Sequence, residues 1–204
     1  MSDPVSELIR VEPRFADVIA LGGPLPPLAR RDPGFGTLLK IILEQQVSVA
    51  AAIAMWRKLE AACDPLEPAA FLALGDDAVR ACGFSRQKAA YGRALAERIV
   101  DGTLDLDALA HAPDDDAIRT LVQLRGIGRW SAEIYLMFAL GRTDVWPADD
   151  LAIQVGVQEL FALPARPTRR ETDAISEPWR PNRSTAARIV WHHYLALRRR
   201  PPGA

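Results

Sequence analysis

An all-α fold is what this chain predicts. Apolar residues recur at helical spacing along most of it, prolines fall between those runs, and no stretch alternates as a strand does. Phe35 to Leu43 and Val47 to Leu59 read as helices parted at Gln45-Gln46, with Ser48 near the restart. Asp76 to Cys82 is a short helix closed by Gly83, a residue type that commonly ends one. Ser85 to Val100 follows, with Ser85 as N-cap and Tyr91, Leu95 and Ile99 along one face. Asp114 to Leu124, Arg129 to Leu140, Asp150 to Leu160, Thr168 to Ser176 and Ser184 to Leu197 complete the set. Pro65, Pro68, Pro113, Pro147 and Pro178 are among the residues that punctuate it.

The 204 residues, 49% hydrophobic and 25% charged, suffice for one large domain or two small lobes. The start, MSDPVSELIR, lacks the apolar stretch of a signal peptide, and no apolar run is long enough to span a bilayer. Two cysteines, Cys63 and Cys82, speak against a disulfide framework, a cysteine zinc site or a four-cysteine iron–sulfur cluster. A reducing, cytoplasmic location is the expectation. The net charge of −1 gives a nucleic-acid partner no global field to follow. Local clusters would have to serve: Arg125 with Arg129, then Arg180, Arg183 and Arg188, then the tail Arg198-Arg199-Arg200. On composition alone these read more readily as solvated helix faces and a basic end.

One stretch resists that bland reading. In LVQLRGIGRWSAEIYLMFAL a helical run breaks at Gly126-Ile127-Gly128 and restarts at once. Glycine reaches backbone angles closed to other residues and lets another backbone come close. The next helix begins at about Arg129, so its first N–H groups lie beside bare backbone, which is a natural phosphate site. Arg125 and Arg129 flank it. A lone G-x-G would by itself be an ordinary tight turn.

The whole phrase resembles the helix-hairpin-helix element, at about 118–140, of DNA-repair glycosylases, and further segments agree with it in order. IILEQQVSVAAA is similar to the first barrel helices of the 3-methyladenine (alkylated-base) family, and GFSRQKAAYGRALA to its G-[LF]-S-x-x-K segment. DVWPADDLAIQ resembles the stretch before its catalytic helix, and WRPNRSTAARIVWHHY its closing helix. The resemblance runs from about Gly34 onward. It implies a two-lobed fold without the extra N-terminal α/β domain of longer members. One lobe, 34–146, is barrel-like; the other joins 1–33 to 147–204 and carries the catalytic acid facing a cleft.

The chemistry implied is flipping of an alkylated purine out of double-stranded DNA and hydrolysis of its N-glycosidic bond, leaving an abasic site. Family register puts the catalytic carboxylate at Asp150, where it stabilises the sugar oxocarbenium ion. Asp149 and Asp150 also suit a plain capping role for the helix they precede, and a helix start favours the ionised form. A cationic base needs electron-rich faces. Trp130 and Trp191 match the family's pocket aromatics; Trp146 is merely near in sequence. Two pocket tyrosines of the family correspond to Ile134 and Leu151. Endonuclease III-like and 8-oxoguanine-type relatives carry a nucleophilic lysine where Trp130 stands, so hydrolysis without lyase chemistry is implied.

Gln46 matches the wedge position of relatives, with a locally paired buried amide as the alternative. The expected DNA contacts are Gly126, Ile127, Gly128, Arg125, Arg129, Gln46 and Ser48. The carbonyls of Leu124 and Ile127 match those that hold a structural monovalent cation in relatives; no other cofactor is expected. Lys88 is read as a solvated side chain, and His192 and His193 as structural for want of a third ligand. A monomer is expected. A non-catalytic hairpin module for DNA binding, and a glycosylase for oxidised or deaminated bases, remain the alternatives at this point.

Overall fold

The structure, a computed structural model, describes residues 3–199. Its helices in chain order are α1 (Pro4–Val11), α2 (Arg14–Gly22), α3 (Phe35–Glu44), α4 (Val49–Ala62), α5 (Pro68–Ala73), α6 (Asp76–Ala81) and α7 (Arg86–Val100). Then come α8 (Leu106–His111), α9 (Asp114–Leu121), α10 (Arg129–Phe138), α11 (Leu151–Leu160), α12 (Arg169–Ser176) and α13 (Arg183–Arg199), with a 3-10 turn at Glu177–Trp179 before α13. No strand occurs among the described residues, as the all-α reading requires. No helix among them is long and apolar enough to cross a membrane.

Four helices went unseen in the sequence: α1, α2, α5 and α8. They have 8, 9, 6 and 6 residues. Pro68, read as punctuation, is the first residue of α5, the one helical position where a missing N–H costs nothing. Asp105 starts α8 by accepting from the N–H groups of Asp107 and Ala108. Helix α9 stops at Leu121 rather than Leu124, as the chain tightens into a turn with the Leu124 N–H on the Leu121 carbonyl at 3.0 Å.

The chain forms two compact units, Arg30–Leu140 and Met1–Ala29 joined with Gly141–Ala204. In the first, α7 organises the core. Gly92 lets it close on its neighbours: a Cβ there would lie 2.7 Å from Leu39 Cδ1 and 3.1 Å from the Phe71 ring. Phe71 stacks obliquely on Phe35 and Phe84. The same helix sends two cations to the ends of others, where carbonyls lack partners. Arg93 donates to the carbonyls of Leu72 and Leu74 at the end of α5, and Lys88 to those of Leu43 and Gln45 at the end of α3. Tyr135 of α10, fully buried, accepts the Gly34 N–H at 2.9 Å. Burial pushes its phenol pKa up.

In the second unit Trp179 is the hub of an aromatic core, with Phe15 at 5.1 Å and Trp146 edge-on at 5.2 Å. Trp146, expected at the end of the other lobe, thus packs with the chain's C-terminal part. Helices α11 and α13 come close because Gly156 faces Val190, where a Cβ would lie 2.6 Å from Cγ1. Asp144 gathers Arg180 and Arg183 into one ion-paired cluster before α13. His192 donates to the Gly23 carbonyl at 3.1 Å, tying α13 to the end of α2.

Candidate active site

The hairpin lies wholly within the Arg30–Leu140 unit. Its turn is closed by the Ile127 N–H on the Leu124 carbonyl at 3.1 Å. The two glycines, expected to act alike, differ. Gly126 has φ +86°, and a Cβ on it would lie 2.2 Å from Tyr91 Cδ2, so no other residue fits without displacing the ring. Gly128 has an ordinary φ of −85° and open space where its Cβ would be. It starts α10 with no side-chain cap, beside N–H groups that a helix leaves unpaired.

Around that turn the expected contacts sort themselves. Ile127 is 4% exposed, so its side chain is core. Arg125 is exposed, whereas Arg129 donates from Nε to the buried Glu133 at 2.8 Å. Ser48 is the N-cap of α4, its Oγ accepting from the Ala51 N–H, which accounts for that hydroxyl structurally. Trp130, 38% exposed, lines a cavity of about 890 Å³ with Gln45, Gln46, Lys88, Tyr91 and Ile134.

Gln46 is exposed and holds a left-handed φ of +54°. The bridging amide weighed for it belongs to its neighbour: Gln45 Nε2 donates to the Gly126 carbonyl at 2.8 Å and to Ser131 Oγ at 3.3 Å. Lys88 is not on a solvated face. Its ammonium sits on the carbonyls of Leu43 and Gln45 at 2.7 and 2.6 Å, and burial lowers its pKa. Neither contact was read from the sequence; the adjacent amides Gln45-Gln46 marked the place, but which one turned inward was not legible.

Asp150 lies in the other unit. Its Oδ1 accepts the Ile153 N–H at 3.0 Å as the N-cap of α11, and also the Trp191 indole N–H at 3.1 Å. The loop before it is braced by the Asp150 N–H on the Pro147 carbonyl and by the Gln154 amide on the Ala148 carbonyl. Asp149 does not cap the helix; it is exposed and pairs with Arg169 at 3.3 Å. Trp191, expected only as pocket lining, therefore also fixes the orientation of the carboxylate. Leu151 is 56% exposed next to it.

The remaining basic candidates are committed elsewhere. Arg180 and Arg183 pair with Asp144 and Glu177, Arg198 with Glu159, and Arg188 donates to the Pro26 carbonyl with its pKa lowered by burial. Of the basic tail, Arg200 and the side chain of Arg199 lie outside the described residues. His193, its pKa lowered by burial, sits 3.7 Å from Glu159. No group of three or more His, Cys, Asp or Glu among the described residues is placed to bind a metal.

Residues 39–181 match the HhH-GPD superfamily base excision DNA repair protein family, more than half of the chain. The chain belongs to this family. The match contains both the hairpin and Asp150, while Trp191 lies beyond it. This HhH-GPD chain is 31% identical to DNA-3-methyladenine glycosylase 1 of Schizosaccharomyces pombe, covering 87% of itself and 79% of that protein. It is 30% identical to the putative DNA-3-methyladenine glycosylase YfjP of Bacillus subtilis over 77% of itself, spanning 58% of that protein's length. Its fold superposes with a TM-score of 0.83 on the S. pombe 3-methyladenine DNA glycosylase Mag1 solved with abasic DNA, at 28% identity and covering 93% of this chain and 95% of that one.

Proposed function

We propose that this HhH-GPD chain is a monofunctional DNA glycosylase that hydrolyses alkylated purines of the 3-methyladenine and 7-methylguanine type from double-stranded DNA. The observation that carries the reading is the Asp150 carboxylate, held on one oxygen by a helix N–H and a tryptophan indole. An alkylated purine is cationic and already a good leaving group. The C1′–N bond breaks with its electron pair going to the base, which becomes neutral, and the positive charge passes to the sugar. A fixed carboxylate beside C1′ stabilises that charge without reorganising. Water then adds to C1′ and gives up a proton, leaving an abasic site.

The other parts take roles that match. The backbone of Gly126-Ile127-Gly128 and Arg125 grip phosphate, with Arg129 contributing what its pairing to Glu133 leaves. Gln46, exposed at its turn, enters the space left by the extruded base. Trp130 and Trp191 offer their faces to the cationic base. Ile134 and Leu151 stand in place of tyrosines, each offering an apolar side chain. If a monovalent cation binds, the Leu124 and Ile127 carbonyls would hold it, since neutral backbone oxygens suit such an ion. Such an ion would brace the turn. The enzyme acts as an intracellular monomer on chromosomal DNA.

Position 130 carries tryptophan where lyase relatives carry the Schiff-base lysine, and the Lys88 amine nearby is held by the Leu43 and Gln45 carbonyls. Incubation with methylated duplex DNA should release free alkylpurine, identified by chromatography, and leave an unbroken abasic strand. Borohydride should trap no covalent adduct. Failure to release base, or a strong adduct that depends on the active site, would overturn the assignment.

A further inference from the structure

Helix α3 ends abruptly, and the Lys88 side chain closes on its end. Its last carbonyls have no partners within the helix. The Lys88 ammonium takes two of them, Leu43 and Gln45, at 2.7 and 2.6 Å, where the negative end of the helix dipole favours a cation. Between those carbonyls and the next helix stands Gln46, at φ +54°, a conformation that persists in a non-glycine residue when its surroundings over-determine it. One residue earlier the Gln45 amide reaches across to the Gly126 carbonyl and Ser131 Oγ. From the other side Tyr91, one turn along α7 from Lys88, packs its ring where a Gly126 side chain would stand. Helix α7 thus touches the end of α3 through Lys88 and the hairpin through Tyr91, and Gln45 joins the two directly.

We infer that Lys88 and Gln45 are positioning residues that lock the turn bearing Gln46 to the hairpin, so that the phosphate grip and the inserted side chain meet DNA at one set spacing. This rests on the glycosylase reading proposed above. Extrusion of a base requires the duplex to be held and pushed at once, and a small misplacement of either contact loses much of the effect. Neither Lys88 nor Gln45 need touch DNA for this; they act through Gln46 and the backbone of Gly126.

The test compares Lys88→Met, Gln46→Ala and the double variant with the parent in single-turnover excision of a lesion stably paired in duplex DNA and of the same lesion in a mismatch. Each single change should lower the paired-to-mismatched rate ratio by about tenfold, and the double variant should lower it no further, because one residue works through the other. Gln45→Leu, which leaves Lys88 in place, serves if Lys88→Met does not fold. A merely structural role would slow both substrates alike and add to the effect of Gln46→Ala; either result overturns the inference. Hydrogen exchange is a readout that needs no catalysis: in Lys88→Met, amides at 44–47 and at 124–128 should lose protection together. Loss confined to one segment would show that they are not coupled. Should the parent release no base, the glycosylase reading falls, and exchange alone decides whether Lys88 ties the two segments.

Discussion

Asp149 and Asp150 are adjacent, chemically identical, and placed in opposite settings. Asp150 accepts from the Ile153 N–H and the Trp191 indole, while Asp149 faces solvent and pairs with Arg169 at 3.3 Å. Asparagine at position 150 keeps an oxygen for both donors and removes only the charge. Asp150→Asn should therefore fold and bind DNA yet lose about two orders of magnitude or more in base release, the scale of one lost electrostatic stabiliser. Asp149→Asn forfeits an exposed ion pair, worth under about 1 kcal/mol, and should stay within a few-fold of the parent. Single-turnover rates beside melting curves for both variants decide this, and a nearly fully active Asp150→Asn would end the proposed mechanism.

The hairpin is a matter of elements, since its two glycines serve different ones. Gly126 seats the turn against α7, at positive φ and with the Tyr91 ring in the way of any Cβ. Gly126→Ala should cost about 2–4 kcal/mol in stability, combining left-handed strain with overpacking. Gly128 opens α10 with nothing within 4 Å of its missing Cβ. Gly128→Leu should therefore melt within about 1 kcal/mol of the parent, as an ordinary extended backbone at a helix start allows. If backbone there approaches phosphate, the same variant should bind lesion-bearing and undamaged DNA equally more weakly. Affinity unchanged in a folded Gly128→Leu would reduce the hairpin to a turn.

Charge belongs to the whole molecule. The chain carries −1 net, and Arg180, Arg183 and Arg198 are taken up by Asp144, Glu177 and Glu159. If DNA is met mainly at the hairpin, binding should depend on salt but only gently. A plot of log affinity against log salt should have a slope on the order of −2 to −4, corresponding to a few neutralised phosphates. Anisotropy titrations from about 50 to about 200 mM salt measure it. A slope steeper than roughly −6 would mean that the paired arginines open to meet DNA.

The sequence alone determined the all-α class and the place of the hairpin. Helical periods, glycine pairs and motif order are local properties that survive without coordinates. It did not reveal α1, α2, α5 and α8, pieces of 6 to 9 residues whose helical state rests largely on tertiary packing. Only the tertiary structure decided which of Gln45 and Gln46 turns inward, because α3 ends just before them and the helical rule for facing lapses there. It likewise drew Lys88 onto the end of α3, separated Gly126 from Gly128 by what packs against each, and set the Trp191 indole on an acid 41 residues earlier. Each of those outcomes depends on a partner distant in the chain, whose approach is governed by burial and by unpaired backbone groups that have to be satisfied.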